Sequence, residues 1–266
     1  MILITKPAFN PAGFKFPSMS FLLKLMIVFA AIVCIQATCS KAKKTAVTAE
    51  SKVMIYSKTR GYRHNSIPEG IEAIKKLGID NGFSVTATED SSMFIADTLK
   101  RYAAVVFLNT TGDVLNATQE DVFKNYINQG GGFVGVHAAT DCEYGWPWYG
   151  QLVGAYFKSH PKQQNAKLNV IDKNNIATKN LPVVWERFDE WYNYKNQNPG
   201  VHVLIKLDEK SYNGGENGDN HPIAWYQDFD GGRAFYTGLG HTKESYKEQL
   251  FLQHLLGGII YAIGKK

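Results

Sequence analysis

The chain lacks the features of a disulfide scaffold, a membrane span or a nucleic-acid surface. It has 3 cysteines in 266 residues, and two of them, Cys34 and Cys39, lie in or just behind an apolar run near the N-terminus. Only Cys142 remains in the body, so no internal disulfide framework can form, even in an oxidising compartment. Charge of one sign is scarce. The formal net charge is +5, and residues 1–38 hold three lysines and no acids, so the rest carries only +2. A nucleic-acid protein would combine a basic stripe with stacking aromatics, so no nucleic-acid partner is expected. The apolar run Leu25 to Ile35 has eleven residues, well short of the roughly 20 a spanning helix needs. The low hydrophobicity of a disordered chain is missing too, since hydrophobic residues make up 44% and charged residues 20%.

What is present begins with a leader. The apolar run follows Lys24 and has the length of the central region of a secretory signal. Pro7, Pro11 and Pro17 fit no such signal, so residues 1–18 are expected to come from an upstream start, with Met19 the more natural one. Residues 1–38 therefore read as a leader, 39–51 as a polar tether and 52–266 as the body. Cys39-Ser40-Lys41 stands where a bacterial lipoprotein carries its acylated cysteine, although Gln36-Ala37-Thr38 matches that signal poorly. Two outcomes stay open: lipidation at Cys39, or cleavage near Ala42. Either exports the protein, to the periplasm or to a membrane surface through a lipid anchor.

In the body, Lys52–Ser57, Ala103–Leu108 and Phe133–Val136 are continuous apolar runs of the kind found in strands covered on both faces. Between them, Ser66-Ile67-Pro68 opens a helical pattern that Asn81-Gly82 ends, Phe83–Thr88 alternates as a strand, and Thr118-Gln119-Glu120-Asp121 resembles a capping box. Strands alternating with helices predict a mostly parallel α/β sheet with helices on both faces. The second half is richer in strands, at Lys167–Ile171, Val201–Leu207, Ile223–Phe229 and Arg233–Thr237, with a hairpin turn at Asp230-Gly231 and a last helix from Glu248 to Ile263. Gly130-x-Gly132-x-x-Gly135 matches a dinucleotide fingerprint in letters only: it follows a helix and opens a strand, the reverse of what phosphate binding needs.

Several short motifs occur in order. They are Gly61-Tyr62-Arg63-His64-Asn65-Ser66-Ile67, Gly130 to Ala139, Leu152 to Phe157 with His160-Pro161, Asp189-Glu190-Trp191-Tyr192, His221 to Trp225, and Gly232 to His241. Together they resemble the ThuA-like (trehalose utilisation) family over about residues 52–262. The resemblance implies a flavodoxin-like fold of the class I glutamine amidotransferase type. It also implies a part in carbohydrate use, on a disaccharide, a glycoside or a 3-keto sugar. His137 occupies the place of the amidotransferase cysteine, so glutamine hydrolysis through a thiolate is not expected.

Ligands of open α/β sheets bind outside the carboxyl ends of the strands. His64, His137 and His241 each follow a predicted strand, and with Asp141 and Glu190 they form the expected catalytic set. Imidazoles near carboxylates suit general acid–base work or a divalent metal, for which His64, His137, His160 and His241 are the candidates. Sugar rings stack on aromatic faces, so Arg63, Trp148, Tyr149, Trp191 and Tyr192 are the expected binding residues. A non-catalytic carbohydrate-binding lipoprotein is the alternative, and the oligomeric state is not legible.

Overall fold

The structure, a computed structural model, describes residues 51–264. The leader, Cys39 and the tether up to residue 50 lie outside the described residues. The chain runs through β1 (Ser51–Tyr56), α1 (Ile67–Asn81), β2 (Phe83–Thr88), the short α2 (Ala96–Leu99), β3 (Ala104–Leu108), α3 (Ala117–Asn128) and β4 (Gly132–Val136). Past a 3₁₀ turn at His137–Thr140 come α4 (Pro147–Val153), β5 (Tyr156–Ser159), β6 (Gln164–Val170), β7 (Val184–Asp189), β8 (Asn193–Lys195), β9 (His202–Asp208), β10 (Pro222–Phe229), β11 (Gly232–Thr237) and α5 (Gln249–Ile263).

Nine strands form one sheet in the order β2-β1-β3-β4-β11-β10-β9-β6-β7, and β5 pairs with β8 in a small second sheet. From β2 to β11 every pairing is parallel, in the strand order of flavodoxin-like folds. The remaining four pairings, out to β7, are antiparallel. The sheet is thus half parallel, and β10, β9, β6 and β7 continue it rather than forming a layer of their own.

Burial on both faces explains the continuous apolar runs. Every residue of β3 and β4 is buried. On one face Phe107 and Phe133 pack with Phe123 of α3 and Tyr149 of α4. On the other, Leu108 meets α1 at Gly70, and Phe235 meets His254 and Gly258 of α5. Gly132 lets β4 approach α5: a Cβ there would lie 2.2 Å from the Ala262 carbonyl oxygen. The glycine run therefore serves packing. Asp230 and Gly231 both have positive φ, 48° and 89°, as a two-residue hairpin turn between β10 and β11 requires.

Some local expectations are corrected. The capping box of α3 starts two residues earlier than expected. Asn116 accepts from the Gln119 N–H, and Gln119 accepts from the Asn116 N–H. Ser66 stands at the N-cap of α1, but its hydroxyl donates to the Gly240 carbonyl instead of capping the helix. Trp148 and Tyr149, expected to bind a sugar, lie in the first turn of the helix α4.

Because β10, β9, β6 and β7 reverse direction in turn, β7 points the same way as the parallel strands. Its carboxyl end reaches the same sheet edge as those of β1, β4 and β11. The sheet also coils. Trp185 Nε1 on β7 donates to Glu248 beside α5, and Arg187 donates to Ser245 Oγ, so this last strand curls back over the end of β11.

Candidate functional site

Four strand ends deliver the central side chains. His64 comes from the loop after β1, His137 follows β4 directly, Glu190 follows β7 and His241 stands in the loop after β11. One donor atom from each lies within 4.8 Å of those of the other three. His137 sits at φ +48°, a left-handed conformation uncommon for a residue with a β-carbon. Its Nδ1 lies 2.9 Å from the Gly238 carbonyl, which only accepts, so Nδ1 carries the proton and Nε2 presents a lone pair inward. That Nε2 is 3.1 Å from His241 Nδ1 and 3.4 Å from Glu190 Oε2. His241 Nδ1 is in turn 3.0 Å from the same carboxylate oxygen. The His64 ring stands edge-on to both His137 and His241, at 4.9 and 5.0 Å between centroids. Its buried Nδ1 has no hydrogen-bond partner among the described residues.

The electrostatics follow from this geometry. Burial and the neighbouring His137 and His241 lower the His64 pKa to about 2, so its ring stays neutral. Burial alone would raise the Glu190 carboxyl, but the neighbouring His137 and His241 outweigh it and hold the group well below the usual range. Burial raises the Asp141 carboxyl, partly offset by the hydrogen bond from Tyr144 at 2.6 Å.

Around this centre a cleft of about 420 Å³ is lined by Tyr62, Asp141, Phe157, His160, Gln163 and Tyr192 as well as His64, Glu190 and His241. The Tyr192 ring lies 4.1 Å from that of His137. His160, 42% exposed, stands 3.3 Å from Glu190 Oε1, the carboxylate oxygen turned away from the other histidines. The Gln163 amide meets His241 Nε2 at 2.6 Å.

The structure brings His64, His137, Glu190 and His241 together, with Asp141, His160 and Tyr192 at the same cleft. His160 is not in the group of converging donors. Four other residues are elsewhere. Tyr149 is fully buried, donates to the Ala139 carbonyl and packs in the core. Trp191 is fully buried and donates to the Gln164 carbonyl. Trp148 donates to Asp230 at the β10–β11 turn, at the opposite end of the sheet. Arg63 pairs with Glu89 on the surface. Sequence reasoning did not single out Tyr62, Phe157 or Gln163. The first two sit beside strand-end histidines in the chain, which was the available signal, whereas Gln163 had none.

Comparison with known proteins completes the description. A family model described as ThuA, trehalose utilisation, matches residues 52–262. The chain is similar to a ThuA-like protein from Bacteroides uniformis, with 26% identity and a TM-score of 0.68 over 80% of this chain and 91% of that one. A ThuA-like protein from Parabacteroides merdae gives 23% identity and a TM-score of 0.68, over 81% and 91% of the two chains. A β-galactosidase from Bacillus circulans shares the fold over 82% of this chain and 32% of its own, at 13% identity and a TM-score of 0.55. No curated protein matches the chain.

Proposed function

The chain belongs to the ThuA, or trehalose utilisation, family, and from that premise we propose that it is an enzyme of carbohydrate use acting at a divalent-metal centre. The substrate class is a disaccharide, a glycoside or a 3-keto sugar, and the fold is read as the class I glutamine amidotransferase type with the thiolate replaced. One observation carries this reading: four donor atoms, three of them imidazole nitrogens, converge within 4.8 Å.

His137 Nε2, His241 Nδ1 and Glu190 Oε2 face one small volume, where a cation can take the place of the proton that His241 Nδ1 holds while its Nε2 accepts from the Gln163 amide. His64 resists protonation and leaves a buried nitrogen unpartnered, so a proton does not meet the need at that ring. Three imidazoles and a carboxylate suit a first-row divalent ion such as zinc, manganese or iron(II). When bound, such an ion polarises a sugar oxygen and lowers the pKa of water.

The remaining roles belong to the chain. Gly238 fixes the His137 tautomer through its carbonyl. Tyr192, Phe157 and Tyr62 offer ring faces to a sugar within the cleft. Asp141, with its raised pKa, holds or takes a proton at the cleft wall, and His160 does so at its mouth. The leader reading supports export, with the body outside the cytoplasm.

The test joins metal analysis to turnover. Purified protein is expected to hold close to one equivalent of metal and to convert one class in a panel of glycosides and 3-keto glycosides, with chelation abolishing conversion. Sugar binding with no turnover across the panel would instead favour the non-catalytic binding protein. Turnover that survives metal removal would remove the metal centre and leave a His–Glu acid–base site.

A further inference from the structure

Beside Glu190 stands a carboxylate to which the reading above gives no task. Asp189 is fully buried, and its two oxygens are crowded with donors. Oδ2 accepts from the Gly240 N–H at 3.0 Å, from Arg187 Nη2 at 3.0 Å and from Ser245 Oγ at 3.3 Å. Oδ1 accepts from the His241 N–H at 3.2 Å and from the Glu190 N–H at 3.0 Å. One side chain thus holds the backbone of two separate site segments, one ending β7 and one following β11.

The segment after β11 needs such a hold. Gly240 has φ +104°, and His241 must leave it with Nδ1 facing Glu190 Oε2. The backbone N–H groups at 240 and 241 both turn toward Asp189, and the Gly240 carbonyl receives Tyr246 Oη and Ser66 Oγ. Arg187 Nη2 donates to this carboxylate at 3.0 Å, and the guanidinium is itself placed against the Trp185 and Phe251 rings. Segments whose N–H groups share one acceptor in this way cannot shift independently.

We propose that Asp189 is a positioning residue for the site: it ties the His241 backbone to the Glu190 backbone, and so sets the distance between their side chains. The assignment rests on the metal-centre reading for its effect on metal binding, while its geometric content stands without a metal. Outer groups that orient ligands typically change metal affinity 10–100-fold when lost.

The experiment uses the full chain and its Asp189→Asn variant. Asparagine keeps the shape but turns one oxygen into a donor facing the Gly240 N–H and Arg187. Three readouts are taken under conditions where both proteins are folded by circular dichroism: zinc affinity, the cobalt(II) d–d spectrum, and hydrogen exchange at the Gly240 and His241 amides. Zinc affinity is expected to fall 10–100-fold, the cobalt spectrum to change, and exchange at those two amides to accelerate more than across β3 and β4. Wild-type zinc affinity in the folded variant overturns the proposal. So does faster exchange spread evenly over the sheet, since that marks a general loss of stability. If Asp189→Asn does not fold, the Arg187→Met/Asp189→Leu double variant gives the same readouts without a stranded buried charge, a replacement that is often tolerated. If wild-type protein binds neither zinc nor cobalt, the metal centre fails. The positioning assignment is then decided by exchange at Gly240 and His241 alone: local acceleration upholds it and unchanged protection overturns it.

Discussion

His137 carries a cost that its neighbours do not. A non-glycine residue at φ +48° stores on the order of 1–3 kcal/mol of backbone strain, which persists only where surrounding structure holds it. Substitution by alanine would mix that strain with loss of the ring, so His137→Asn is the cleaner probe. Asparagine tolerates the left-handed region, and its amide can donate to the Gly238 carbonyl in place of Nδ1. Only the inward Nε2 is lost. Turnover is expected to fall roughly 10²–10⁴-fold with the melting temperature nearly unchanged; a large drop in melting temperature with normal turnover would make His137 a core residue and nothing more. His64 supports a pH prediction. Its pKa is about 2 in the fold against 6.5 ordinarily, so the unfolded chain binds the extra proton below about pH 6.5. The stability this ring contributes is full above that pH and is lost as pH falls further, with a slope of at most about 1.4 kcal/mol per unit. Burial also lowers the pKa values of His221 and His254, so wild type must be compared with a His64→Gln variant. In chelator, urea midpoints at pH 7 and pH 5 should differ less for the variant. Equal losses would mean that His64 is not held neutral.

At the level of the elements, the parallel half of the sheet was legible because its strands are covered on both faces and read as unbroken apolar runs. The glycines before β4 belong to the same logic. Gly132→Ala would push a Cβ to 2.2 Å from a backbone oxygen of α5, which has no flexible end to move aside. A loss on the order of 1–3 kcal/mol is expected from such overpacking, read as a lower urea midpoint with the substrate profile kept. An unchanged midpoint would show that α5 does not pack tightly on β4. The strand β7 was not legible, since Val184-Trp185-Glu186-Arg187-Phe188-Asp189 puts two charged residues on its buried side. Arg187 and Asp189 are accommodated there only because each meets the other, with Ser245 and Glu248 nearby. That compensation is tertiary and leaves no periodic trace. The aromatic segments failed for a related reason. Trp148, Tyr149 and Trp191 have the composition of a stacking surface, yet two are fully buried with their polar atoms bonded to backbone carbonyls. An aromatic residue near glycine and proline looks the same in sequence whether it lines a cleft or caps a core. The histidines were easier, because a polar residue directly after a buried strand has few places to go except the carboxyl edge.

Across the whole molecule, the site joins parts of the chain that the sheet alone connects only at a distance. His64 and His137 follow strands of the parallel half, whereas Glu190 follows β7, the last strand of the antiparallel half and five places from β4 in the sheet order. Coiling brings β7 back over β11, and a bound ion would fasten that closure at its tightest point. Since the donors come from positions 64 to 241, no local segment retains the centre once the sheet opens. Metal binding should therefore act on global unfolding rather than on one loop. At free metal near 100 times its dissociation constant, the linkage contributes about 2.7 kcal/mol. For a body of this size that corresponds to roughly 5–10 °C in melting temperature, at about 2–4 °C per kcal/mol. Stripping the metal should lower the single melting transition by that amount, and adding it back should restore it. The gain should be larger at pH 8 than at pH 5.5, since metal binding by imidazole ligands competes with protons. His160→Ala, outside the converging group, should leave the shift intact, and His241→Ala should abolish it. A protein shown to contain metal, whose melting is the same with and without it, would mean that the ion sits somewhere other than at these four residues.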